Sequence, residues 1–292
     1  MNLIYLRRKI INYTALGLSL SAMLFGLFWL VWILWTLGKE GLSAMNWQIF
    51  TEMTPAPFPG STGGLKNAIV GSLMMAGVGT LIGTPIGILA GVYLGEYGQR
   101  GWLAPVTRFI NDILLSAPSI IIGMFVYQLV IAENHIGHVS WRVFHGYAGW
   151  AGSFALALLV IPVVVRTTDN MLKLVPNSLR EAAAALGTPQ WKIISFISLR
   201  AARAGILTGI LLAVARIAGE TAPLIFTALN NQFWSLDMTK EMANLPMSIM
   251  NYYRSGMDEF VPLAWVASLL ITGSVLLLNI LGRVIFRQEK IS

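Results

Sequence analysis

Arg216 and Glu220 stand four residues apart in a run, residues 205–229, that carries no other charge. Counted from Gly205 at 1.5 Å per residue, Arg216 lies about 17 Å along that run, close to the middle of a ~30 Å hydrocarbon slab. A guanidinium there costs at least ~2.5–3.5 kcal/mol on insertion scales, so it should face protein or a wet cavity and have a partner. Glu220, one helical turn on, can be that partner, although acid following base is the weaker orientation. Two readings follow. In one, the pair neutralises itself and sets helix packing. In the other, the planar fork of Arg216 meets an oxyanion in transit and Glu220 holds it between passages, taking a proton from the anion where it carries one. Thr221 adds a hydroxyl, Gly219 removes side-chain bulk and Pro223 frees the carbonyl of Gly219, which favours the second.

Other groups offer less. In NDILLSAPS, Ser116 and Ser119 flank Pro118 and follow Asn111 and Asp112, so hydroxyls could line a polar path at a broken helix or simply satisfy a kink. His135, His138 and His145 share a stretch with Glu133, but the intervening glycines argue against a shared helical face, and exposed loop histidines are the better reading. There are no cysteines, so disulfides, thiolate metal sites and cysteine nucleophiles are excluded. No G-x-x-x-x-G-K-[ST] phosphate loop occurs, and no coherent catalytic set is legible, so the chain reads as a non-enzyme.

The elements that hold these groups are membrane helices. Of 292 residues 56% are hydrophobic and 11% charged. Six runs approach the ~20 residues needed to cross a bilayer: residues 17–37, 68–94, 113–132, 150–165, 205–229 and 262–286, the fourth the shortest. They lack strand alternation, and a backbone in lipid must satisfy itself, so the fold expected is all-α and polytopic with six transmembrane helices. The net charge of +7 points to topology and not to nucleic acid. With the N-terminus cytoplasmic, fourteen of the 20 Lys and Arg fall inside and five outside, which places both termini in the cytoplasm. The first apolar run is about twice a signal core and should stay as a span.

Residues 1–67 separate as a first span and outer loop, TPAPFPGSTGG marking irregular backbone; residues 68–287 form the core, with a cytoplasmic loop at 166–204. Gly79, Gly83, Gly87, Gly91 and Gly95 repeat every four residues in the second span, baring backbone along one face. Ordinary tight packing explains such a ladder more readily than a sliding helix.

Between the fourth and fifth spans lies SLREAAAALGTPQWKIISFISL, residues 178–199. Ser178 with Glu181 reads as a capping box, and Gly187 followed by Pro189 stops the helix after about two turns. Leu179, Ala182, Ala183 and Leu186 recur at helical spacing, giving a face that either a soluble partner or the membrane surface would cover.

Glu181, Ala182, Ala183, Gly187, Ile197 and Leu199 match the EAA-x3-G-x9-I-x-L motif, so the chain resembles permease subunits of bacterial ATP-binding-cassette importers. Arg200 stands where that motif usually ends in proline. Residues 109–123, 166–192 and 215–234, with LFWLVWIL in the first span, are similar more narrowly to the phosphate-specific importer permeases. The resemblance runs through nearly all of the chain and is weakest at residues 135–147. It implies a type I importer permease fold in the bacterial inner membrane, with inorganic phosphate the cargo and sulfate or molybdate the alternatives. A stand-alone channel or secondary carrier would have no use for the motif helix. It further implies a heterodimer with a second, related permease subunit, two nucleotide-binding ATPase subunits that bind ATP and Mg, a periplasmic phosphate-binding protein, and no cofactor in this chain. Ser178, Glu181, Ala182, Ala183, Leu186 and Gly187 would then couple to the ATPase, and Arg216, Glu220, Thr221, Ser116 and Ser119 would line the path.

Overall fold

The computed structural model describes residues 3–56, 58–98, 101–136, 139–141 and 143–287; His138, named above, and Arg100, Arg142 and Lys290, which enter the count of inside and outside charges, lie outside them. In chain order the helices are α1 (Leu3–Ser43), α2 (Gln48–Thr51), α3 (Lys66–Val92), α4 (Leu103–Ser116), α5 (Ser119–Val126), α6 (Gly149–Lys173), α7 (Asn177–Ala185), α8 (Gln190–Lys192), α9 (Leu199–Ala218), α10 (Ala222–Thr227), α11 (Leu245–Arg254) and α12 (Val261–Arg287). π-helical turns extend α3 (Tyr93–Tyr97) and α5 (Tyr127–Ile131) and join α8 to α9 (Ile193–Ser198). A short antiparallel pair, β1 (Asn134–Ile136) and β2 (Val139–Trp141), sits in the loop before α6 with His135 opposite Ser140. Among the described residues five helical segments are long and apolar enough to cross a membrane, or six if the bent α4–α5 pair counts as one span.

Helix α6 is the axis. Leu156, Leu159, Val160 and Val164 are buried against Met75 of α3, Ile122 of α5, Ala213 and Ile217 of α9, and Leu224 and Ala228 around α10. Its N-terminal end borrows carbonyls from the outer loops: Ala148 donates to Thr227 at 2.8 Å, Gly149 to Lys240 at 3.0 Å and Trp150 to Met238 at 2.9 Å. Those bonds satisfy donors that a helix start otherwise leaves orphaned. Helix α1 is different, for its spanning window is not buried at all and it meets the rest through α12, where Gly41 faces Leu269.

The glycine ladder fixes how α3 lies on α6. A Cβ on Gly79, Gly83, Gly87, Gly91 or Gly95 would meet Leu156, Val160, Val164, Thr168 or Leu172 respectively, at 2.5–3.0 Å. The offset between partners is constant, so the two helices run parallel in one register for five steps. The backbone approach is the close one that small residues permit in lipid.

Three expected boundaries are corrected. The fourth span is not short: α6 runs 25 residues to Lys173. Its polar end stays helical because Asp169, buried there, accepts from Arg108 Nε at 3.2 Å and Lys173 Nζ at 2.6 Å. The third span is broken, with α4 and the segment Ser119–Ile131 meeting at 105° across Ala117 and Pro118. Proline disfavours helix in the residue before it, and Ala117 is extended (ψ 135°). By contrast α3 passes through Pro85 without interruption. The fifth span starts earlier and ends sooner, covering Gln190–Ala218 and stopping at Gly219. Pro223 cannot donate to the carbonyl of Gly219 and would clash with it in a continued helix, while glycine itself is a poor helix former.

Candidate functional site

The break in the fifth span is where the midplane charges sit. Arg216 is in the last turn of α9, where its charge complements the negative helix end, and Glu220 lies just past that end. Gly205 packs against Met171 and Gly209 against Thr167, so α9 runs antiparallel to α6. That register, carried on two turns, sets Arg216 level with Val160, midway along α6. The helical segment that carries Arg216 thus starts at Gln190 and stops at Gly219, opposite the middle of α6 and short of its outer end.

Arg216 Nε stands 3.8 Å from Glu220 Oε1, beyond hydrogen-bond range, with side-chain exposures of 36% and 18%. The pair is loosely closed and open to one side of the chain. Thr221 starts the short helix α10, which continues towards the N-terminal end of α6: its carbonyl accepts from Leu224 at 3.1 Å and Ile225 at 3.2 Å. Helix α10 is clamped from both flanks. A Cβ on Gly123 of α5 would lie 2.6 Å from Cα of Pro223, and one on Gly152 of α6 would lie 3.0 Å from Cβ of Ala228. Because Gly123 seats on Pro223 and Ser119 is one turn before it, the breaks of the third and fifth spans are neighbours. Ser116 is turned to its own helix, donating to the carbonyls of Asp112 at 2.5 Å and Ile113 at 3.3 Å. Its hydroxyl thus bonds back to the last turn of α4, and Ser119 is the half-buried hydroxyl of the two.

At the cytosolic end, α7 begins two residues earlier than the capping box requires. Pro176, extended at φ −60° and ψ 139°, delimits it without any side-chain cap, and Ser178 and Glu181 are exposed inside the helix. The stop is as expected: Gly187 takes φ 72°, its N–H donates to Ala184 at 2.9 Å, and that of Thr188 donates to Ala183 at 3.2 Å. The face read from sequence divides. Ala183 is buried in the chain, while Leu179, Ala182 and Leu186 are exposed, Leu186 to 86%.

Sequence reading missed the ties above α7. Arg180 donates to Glu96 at 2.8 Å and to the carbonyls of Val175 at 2.6 Å and Leu172 at 2.8 Å. Asp169 and Lys173, four apart on α6, also pair, and their third member, Arg108, comes from α4. His145 is exposed and lines an open outer cavity with Asn231, Thr239, Lys240 and Glu241. Among the described residues no three His, Cys, Asp or Glu side chains gather as a metal site.

In fold the chain is an importer permease. It superposes on a chain of a bacterial alginate ABC transporter, crystallised with its alginate-bound periplasmic protein, with a TM-score of 0.69 over 97% of this chain and 96% of the other at 14% identity. The family described as binding-protein-dependent transport system inner membrane component matches residues 83–289. The phosphate transport system permease protein PstA of Yersinia pestis is 58% identical over 279 residues, 96% of this chain and 91% of its own length. That of Haemophilus influenzae is 57% identical over 99% of this chain and 98% of its own. The chain belongs to the PstA family of binding-protein-dependent transport system inner membrane components, and it is a multi-pass membrane protein.

Proposed function

We propose that this chain is a permease subunit through which inorganic phosphate enters the cell across the bacterial inner membrane, driven by ATP hydrolysed on partner subunits. The observation that carries the reading is the match, over nearly the whole chain, to relatives named phosphate transport system permease. The geometry supports it: a half-open guanidinium is held at mid-depth between two helix breaks, and an exposed helix with an apolar face projects from the cytosolic end. No phosphate loop occurs in the sequence, so ATP and Mg would be bound by two nucleotide-binding subunits, one of them seated on Leu179, Ala182 and Leu186. A second permease would complete the path around Arg216, with Glu220, Thr221 and Ser119 beside it. A periplasmic phosphate-binding protein would deliver the cargo from outside. Rocking of the two permease bundles gives alternating access.

Reconstituted with those partners, the complex should take up radiolabelled phosphate, with unlabelled phosphate competing and equal sulfate or molybdate not. Competition by sulfate equal to that by phosphate would sink the assignment of cargo. The chain alone should carry no flux, and substantial flux without ATPase subunits would mark it as a channel or secondary carrier.

Coupling is tested separately. Glu181→Lys reverses a charge on the exposed helix, and Gly187→Leu forces a side chain into the left-handed region at ~1–2 kcal/mol. Nothing lies within 4 Å of a Cβ at Gly187, so that cost is one of backbone conformation and not of space. Both variants should lower phosphate carried per ATP several-fold. Gly187→Asn, which tolerates that conformation, should keep the ratio near wild type. An unchanged ratio in all three would mean that the helix is a linker.

A further inference from the structure

We propose that Arg180 is a positioning residue through which displacement of α7 reaches the α3–α6 pair, with Glu96 as its anchor. The inference rests on the permease reading above and names how motion would leave the coupling helix. One guanidinium joins three elements. Nε lies 3.3 and 3.2 Å from the two carboxylate oxygens of Glu96, at the end of α3, and Nη2 lies 2.8 Å from one of them. Nη2 also donates to the carbonyl of Leu172 at 2.8 Å, while Nη1 donates to that of Val175 at 2.6 Å and to Asn177 Oδ1 at 3.1 Å.

The joint is shielded, with side-chain exposures of 20% for Arg180 and 7% for Glu96. Helix ends leave their last carbonyls unpaired, and Arg180 caps the end of α6 while its own helix carries it. Five donors fixed in a plane hold both partners at once, which a flexible ammonium does not do. Above the joint, the glycine ladder holds α3 and α6 in one register from Gly79–Leu156 to Gly95–Leu172. A push on α7 therefore arrives at two helices that are already fastened together. The covalent route to α9 runs instead through the turn at Gly187 and the π-helical stretch Ile193–Ser198.

The sequence has no cysteine, so paired spin labels can be placed on this chain at Ala184→Cys of α7 and Tyr97→Cys beside Glu96, both exposed. In the full complex the label separation should be the same without nucleotide and with ATP trapped. In Arg180→Gln, and in Glu96→Gln, which keeps its shape if the first fails to assemble, the separation should change by about 3 Å or more on trapping. Phosphate carried per ATP should also fall at least about fivefold, with ATPase subunits still bound. An unchanged separation in the variants overturns the proposal, whether or not transport falls, because the defect then does not pass through this joint. A wild-type ratio of transport to ATP in both variants overturns it too. A wild-type complex that moves no phosphate would instead strike at the cargo assignment, since the separation needs nucleotide only.

Discussion

Arg216→Gln is expected to cut phosphate uptake by the assembled complex about 100-fold or more while leaving the amount of complex within about twofold. The two effects separate because the resting pair is weak. At 3.8 Å and 36% exposure, the Arg216–Glu220 contact is of the kind worth ~0–1 kcal/mol, so its loss should scarcely touch folding. A bound oxyanion would take two charge-assisted hydrogen bonds from the guanidinium, each worth ~1.5–3 kcal/mol, and Gln can replace neither the charge nor the fork. Losing about 3 kcal/mol of that binding corresponds to roughly two powers of ten. Uptake of labelled phosphate into proteoliposomes, normalised to complex measured by size exclusion, decides the point. Normal uptake by the variant would reduce Arg216 to a packing residue, and loss of the complex itself would favour the self-neutralising reading. Arg216→Lys should stay well below wild type, because one ammonium retains the charge without the planar pair of donors.

The helices were legible in sequence because lipid leaves the backbone no alternative, and long apolar runs mark where they pass. Hydropathy reports where a helix is in oil and not where it ends. That is why residues 166–173, polar but helical, were lost from the fourth span, and why residues 219–221, a short break set between apolar stretches, were absorbed into the fifth. Pro118 and Pro223 look alike in sequence, as does Pro85, yet α3 continues through Pro85 while the chain breaks near the other two. The difference lies in neighbours: Gly123 and Gly152 clamp α10 in place, and their partners are far away along the chain. The charges of the candidate site were legible because an arginine in an apolar run stands out by cost alone. Arg180 and Glu96 were not, since 84 residues separate them and each lies where a charge is ordinary. The capping box failed for a local reason, for Pro176 fixes the start of α7 before Ser178 can cap it.

The ladder gives the second large effect, and one that changes sign along a single helix. Gly→Ala substitutions at Gly79, Gly83, Gly87, Gly91 and Gly95 would set a new methyl 3.0, 2.8, 2.7, 2.5 and 3.0 Å from the nearest atom of α6. Those nearest atoms are side-chain Cβ atoms next to the backbone, or backbone itself, and not the movable tips of long side chains. Relief requires α3 to lift off α6, which would strain the other four steps at the same time. Overpacking of this kind costs ~1–3 kcal/mol, and the cost should be greatest at Gly91 and least at Gly79 and Gly95. Gly77 is on the same helix with nothing within 4 Å, so Gly77→Ala meets no atom and gains ~0.5–1 kcal/mol of helix propensity. Thermal midpoints of the purified complex should therefore fall by about 5 °C for Gly91→Ala and hold or rise slightly for Gly77→Ala. Equal midpoints for the two variants would show that the α3–α6 contact yields freely, and a helix pair that yields freely could not carry motion from α7 as one body.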